Sequence, residues 1–157
     1  MNKKDELIQQ LDHARNTMLP LLTEIEINRQ IYPMWTVREL LAHIAGWDDA
    51  IIQSLNAHVD GREPGTPAAL GLNHYNAETI STREGLDYDH IYREYVKTRE
   101  LLKETIRNLP EDKLEEPFIL PWGNTGTIAQ VIEIFSEHEE VEHAGDLKKL
   151  IEEHKAK

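Results

Sequence analysis

Four stretches of this chain place apolar residues three and four apart, and no other feature restricts the fold as tightly. A period near 3.6 builds a helix with one buried stripe, whereas a half-buried strand needs strict alternation. The first stretch, residues 3 to about 28, carries Leu7, Leu11, Ala14, Met18, Leu22 and Ile25. Pro20 lies inside it and predicts a kink or a short break, because proline has no backbone N–H to donate. The second runs from Thr36 to about His58 through Leu40, Leu41, Ile44, Trp47, Ile51 and Leu55, and Thr36-Val37-Arg38-Glu39 opens it as a capping box. The third, about 86 to 108, carries Tyr88, Ile91, Tyr92, Tyr95, Leu102, Ile106 and Leu109. The fourth follows a second capping box, Thr127-Ile128-Ala129-Gln130. Glycines and prolines make residues 60 to 71 a loop, and a short helix is expected over Leu72 to Ser81. No segment predicts a strand. The expectation is an all-α, single-domain four-helix bundle over residues 1–157, with the long loop and short helix between helices two and three.

Helix four contains an anomaly. Ile128, Val131, Ile132 and Phe135 share one face, and in α-helical phase that face next meets His138, Glu139, Glu142, His143 and Asp146. Apolar residues return only at Leu147, Leu150 and Ile151. Charges in a seam that should bury carbon are costly unless they find partners, so a functional site is expected here. On helix two, His43 is three residues after Leu40 and four before Trp47, at the border of the buried face. Arg99 falls in line with the stripe of helix three, which predicts a carboxylate partner. Trp47 and Tyr95 read as core, and Asn73 and Asn76 as caps or anchors of the short helix. His13, His58, His74, His90 and His154 read as surface residues.

Composition removes several function classes. Without cysteine there is no disulfide, thiolate metal site or cysteine nucleophile. There is no phosphate-cradling glycine loop, no nucleophile elbow and no helical His-Glu-x-x-His motif. A net charge of -12 repels phosphate backbones and anionic membranes, so neither nucleic acid nor membrane is an expected partner. No apolar run is long enough to span a bilayer, and no apolar segment follows the charged N-terminus, so a cytoplasmic location is expected.

The stretch Trp35-Thr36-Val37-Arg38-Glu39-Leu40-Leu41-Ala42-His43-Ile44-Ala45-Gly46-Trp47-Asp48 closely resembles the second-helix signature of the DinB-like (YfiT-like) four-helix bundles. Trp122-Gly123-Asn124-Thr125 and Glu142-His143-Ala144-Gly145-Asp146-Leu147 resemble their fourth-helix region. The resemblance implies the DinB/YfiT fold. In many members it also implies one divalent metal bound by three histidines, one on helix two and two a turn apart on helix four. Matched position by position, those sites fall on His43, Glu139 and His143, while His138 lies five residues before His143. Four residues along a helix turn a side chain by about 40° and five by about 140°. The implied set is therefore His43, Glu139 and His143, suited to zinc, nickel or ferrous iron, with Glu142 or Asp146 either supporting the ligands from behind or serving as general base. The resemblance then implies a hydrolase or thiol transferase acting on a small molecule. Two alternatives stay open. One is a metal-free bundle of the colibactin self-resistance type, binding or detoxifying a small electrophile in a pocket of Trp47, Tyr95, Arg99 and His138. The other is a non-catalytic homodimer. A homodimer is expected in either enzymatic case as well.

Overall fold

The computed structural model describes residues 2–63, 68 and 70–156, apart from the side chains of His138 and Glu139. Residues 64–67 and 69 of the expected 60–71 loop lie outside the described residues. Helix α1 (Lys3–Leu22) starts where the Asn2 side chain accepts the Asp5 amide at 2.9 Å. It stops at Leu22, short of the expected residue 28, with Pro20 inside its last turn.

The expectation of no strands is corrected. The chain turns back through a hairpin of β1 (Gln30–Tyr32) and β2 (Trp35–Thr36), whose tip residue Met34 has φ 69°. A second antiparallel hairpin joins β3 (Phe118–Ile119) to β4 (Thr125–Gly126). Strands of two or three residues are too short to show alternation, which is why periodicity does not reveal them.

Helix α2 (Val37–Asp60) opens at Thr36, whose amide and hydroxyl both donate to Glu39 Oε1, at 2.9 and 2.8 Å. It closes at Gly61 in the left-handed conformation, φ 66°. Helix α3 (Leu72–Ser81) lies across α2, and Gly46 sets how closely: a Cβ there would collide with Thr79. The Tyr75 hydroxyl donates to the Gly46 carbonyl at 2.7 Å across this contact. Helix α4 (Tyr88–Arg107) begins at Asp87, whose carboxylate accepts the His90 amide at 2.8 Å, and packs along α2.

The fourth long run begins with α5 (Ile128–Glu133), continues through a π-helical segment (Ile134–Glu140) and ends as α6 (Val141–Ala156). A π-helix bonds i to i+5 and takes in about one more residue per turn than an α-helix. The inward face is therefore re-phased: beyond Phe135 and Ser136 the described buried positions are Glu140, Ala144, Leu147 and Ile151, and neither 142 nor 146 is among them.

Two apolar clusters fill the interior. One joins Leu11, Ile51, Leu55, Leu102, Ile106 and Val131; the other joins Met18, Leu40, Leu41, Ile91, Tyr95 and Leu147. Between them each long helix contributes one charged side chain: Arg15 from α1, Asp48 from α2, Arg99 from α4 and Glu140 from the π segment. Among the described residues no helix is long and apolar enough to cross a membrane.

Candidate functional site

Helices α2 and α6 bring His43 and His143 together, their rings edge to face with centroids 5.4 Å apart. His43 is 4% exposed and His143 half-buried. The hydrogen bonds around them fix the tautomer of each ring. Trp47 Nε1, which can only donate, lies 2.7 Å from Asn76 Oδ1, so that atom is the amide oxygen. His43 Nδ1 lies 3.0 Å from the same oxygen and must carry the proton it donates. On the other side Tyr32 donates its single hydroxyl proton to Asp146 Oδ2 at 2.6 Å. The 2.8 Å contact between Tyr32 Oη and His143 Nδ1 is then donated by the imidazole. Both rings thus carry a proton on Nδ1, which in a neutral imidazole leaves the lone pair on Nε2.

The β1–β2 hairpin supplies the outer wall. Tyr32 and Trp35 pack edge-on to each other, and Trp35 lies 5.2 Å from the His43 ring. With Asn73, Asn76, Ala77 and His143 they line an open cleft of about 390 Å³. A second cavity of about 310 Å³ adjoins it and is walled by Trp47, Trp122 and Phe135, together with Leu72 and Ile134. Asn76 lines both.

Several expected site residues fall elsewhere. Tyr95 and Arg99 are 0% and 2% exposed within the charged layer, and neither lines the cleft. Trp47 borders the apolar cavity. Glu142 is exposed, and Asp146 meets His143 through Tyr32. The side chains of Glu139 and His138 lie outside the described residues. His58, expected on the surface, is half-buried: it stacks on Phe118 with centroids 4.8 Å apart and bonds the Lys113 carbonyl at 3.1 Å. Residue patterns missed Asn76 as a site residue, and also Tyr32, which meets His143 across 111 positions of sequence. The only local signals were the aromatic pair flanking Pro33-Met34 and the unusual density of asparagine in α3.

Deeper in, Arg99 grips Asp48 through Nη2 and Nε at 3.1 and 3.2 Å and Glu140 through Nη1 at 2.7 Å. Arg15 Nε reaches Glu140 at 2.7 Å and its guanidinium lies 3.5 Å above the Tyr95 ring. The Tyr95 hydroxyl also donates to Glu140, at 2.7 Å, and Thr98 donates to Asp48 at 3.2 Å. Burial pushes both carboxyls up. At Asp48 it prevails over the pull of Arg99 and Arg15, whereas Glu140 is held below its ordinary range by those two guanidiniums and the Tyr95 hydroxyl. The two differ because Arg15 meets Glu140 at hydrogen-bond distance but comes no nearer to Asp48 than 3.8 Å. Burial works against the charge on Arg99 too, and Asp48 and Glu140 outweigh it, raising its pKa. The layer is a closed set of two cations and two anions, and none of its four side chains lines the cleft or the apolar cavity.

None of the curated proteins compared matches the sequence. Among solved structures, colibactin self-resistance protein ClbS in complex with a dsDNA superposes at TM-score 0.77 with 18% identity, covering 95% of each chain. The sibling lethal factor precursor DfsB gives TM-score 0.79 and 18% identity over 98% of both chains. The mycothiol-dependent maleylpyruvate isomerase gives TM-score 0.74 and 18% identity over 93% of this chain and 61% of that one. At such identities these likenesses establish the fold alone.

The ClbS complex also overturns the exclusion of nucleic acid by net charge, since a protein of this fold meets double-stranded DNA. A total of -12 sums over the whole surface, while a phosphate backbone is met by a local field and placed donors. The sequence model of the DinB superfamily matches residues 5–146, and the chain belongs to that superfamily.

Proposed function

We propose that the cleft between α2 and α6 is a small-molecule site in which His43 and His143 hold one divalent ion, serving hydrolase or thiol-transfer chemistry. The observation that carries this reading is the shared Nδ1–H tautomer. A metal-binding imidazole needs its second nitrogen engaged as a donor to a fixed acceptor. Asn76, braced by Trp47, does this for His43, and Tyr32, braced by Asp146, does it for His143. Two imidazoles are one donor short of the three protein ligands usual at a catalytic zinc. Among the described residues no group of three such side chains could hold a metal ion, so the reading assigns the third position to Glu139. When bound, such an ion lowers the pKa of a water or thiol and polarises a carbonyl. The chain's own residues orient the donors and shape the cleft. Asp146 and Tyr32 keep the His143 proton on Nδ1, and Trp35 shields the His43 ring.

Elemental analysis of tag-free protein tests this. Near-stoichiometric zinc, nickel or iron, lost in both His43→Ala and His143→Ala, is the expected result. No metal as purified and none taken up on titration would defeat it and leave a metal-free binding or detoxifying pocket.

A second reading, contact with duplex DNA, is favoured by the ClbS complex. Its mark would be duplex binding that weakens steeply with salt, and no binding at low salt would remove it.

A further inference from the structure

The apolar cavity beside the histidine cleft is assigned to no role by the reading above, and Asn76 connects the two. Trp47, Trp122 and Phe135 form a three-ring wall, with centroid separations of 6.1 Å between the indoles, 5.3 Å from Trp47 to Phe135 and 5.9 Å from Trp122 to Phe135. At about 310 Å³ the cavity falls within the size range of small-ligand sites. Such a wall favours a flat apolar group over a charged one.

The polar element at its border is more specific. Asn76 Oδ1 accepts from both Trp47 Nε1 and His43 Nδ1, which fixes the amide and uses its acceptor. The Nδ2 group has two protons and no partner among the hydrogen bonds of the described residues. Asn76 is half-buried and borders both spaces, so its donor is a pre-oriented group that a ligand acceptor can satisfy.

We infer that this site takes a ligand with an aromatic or similarly flat apolar body in the Trp47–Trp122–Phe135 cavity and a carbonyl-type oxygen at Asn76 Nδ2. The ligand's remainder then extends into the cleft beside His43 and His143. The inference deepens the proposed function by naming the substrate class, and it rests on that reading only for what happens at the histidines. Recognition of the ring and the oxygen needs no metal.

Three probes separate the parts: benzamide has ring and carbonyl, toluene the ring alone, and acetamide the carbonyl alone. Each is titrated against the whole protein by ligand-observed NMR, alongside a metal-uptake measurement. Saturable benzamide binding in the millimolar range is expected, stronger than that of either fragment. Trp122→Ala removes one half-buried wall and should weaken benzamide roughly tenfold. Asn76→Asp keeps an oxygen for Trp47 and His43 but loses the amide donor, and should weaken benzamide roughly fivefold or more while leaving toluene unchanged. No saturable benzamide binding, equal affinity in folded Trp122→Ala, or acetamide binding as well as benzamide would each overturn the inference. Metal absent from a protein that binds benzamide as described would defeat the metal reading alone. Metal present with no benzamide binding would defeat only the substrate class.

Discussion

Arg99→Met is the substitution that tests the charged layer most directly. Methionine keeps most of the length and apolar stem of arginine, so the change removes charge and donors more than volume. Three hydrogen bonds at 2.7, 3.1 and 3.2 Å disappear. Glu140 keeps Arg15 and Tyr95 on Oε1, but Asp48 is left with the Thr98 hydroxyl and a guanidinium 3.8 Å away. Removing one partner from a buried ion pair costs about 3–5 kcal/mol, a large part of the roughly 5–15 kcal/mol by which domains are stable. In a chain of this length that lowers Tm by roughly 10 °C.

The deficit also has a defined pH dependence. Asp48 is already raised from its ordinary 3.8 in the intact layer, by burial. Without Arg99 its main opposing pull is gone and its pKa rises further. The folded variant then holds a proton that the unfolded chain releases. Its stability relative to the parent therefore falls as pH rises through the folded value, and the deficit narrows on acidification toward 3.8. Urea titrations at neutral and acid pH measure this. Asp48→Asn placed on Arg99→Met should recover part of the loss at neutral pH, giving a coupling energy of about 1–3 kcal/mol in the double-mutant cycle. A deficit below about 1 kcal/mol that does not change with pH, or strictly additive substitutions, would refute the closed-layer account and indicate that water reaches these charges.

Other substitutions probe the site and its supports. Tyr32→Phe cuts the relay from Asp146 to His143 while keeping the ring, and on the metal reading should weaken metal affinity about 10–100-fold, measured by competition with a chelating dye, with the fold intact by circular dichroism. Gly46→Ala forces α3 away from α2 at Thr79; it should cost about 1–3 kcal/mol and, by unseating Asn76, disturb the Trp47 environment in fluorescence. Met34 is 92% exposed and sits in the left-handed region, so Met34→Gly should raise stability by about 0.5–1 kcal/mol without moving the cleft.

The long helices were legible because each shows its buried stripe over several turns, and two capping boxes mark where α2 and α5 begin. Arg99 announced a buried carboxylate partner, but its two partners lie 51 and 41 residues away on other helices, beyond any local pattern. Asp48 was concealed by its neighbour Trp47, which accounts for the stripe at that turn. The tautomer-fixing residues were hidden for a similar reason: tyrosine and asparagine in short connecting elements have many uses, and only the folded chain brings Tyr32 and Asn76 to the imidazoles.

Helix four is the more instructive failure, because part of what was needed lay in the sequence. At about 100° per residue, the stripe of Ile128, Val131, Ile132 and Phe135 and the later one of Ala144, Leu147 and Ile151 have centres displaced by about one residue. A regular helix cannot bury both. Extrapolating the first stripe placed Glu139 and Glu142 in the seam, and an equally valid extrapolation backwards from the second would have placed Glu140 there. The conflict between the two is itself a signal of a phase break. The π segment Ile134–Glu140 resolves it by taking in the extra residue, and the residue thus turned inward is the carboxylate that Arg15, Arg99 and Tyr95 hold. The helical irregularity and the charged layer are therefore one feature. A regular helix keeping the first stripe buried would rotate Glu140 out of reach of both guanidiniums, and two cations would face Asp48 alone in an apolar core.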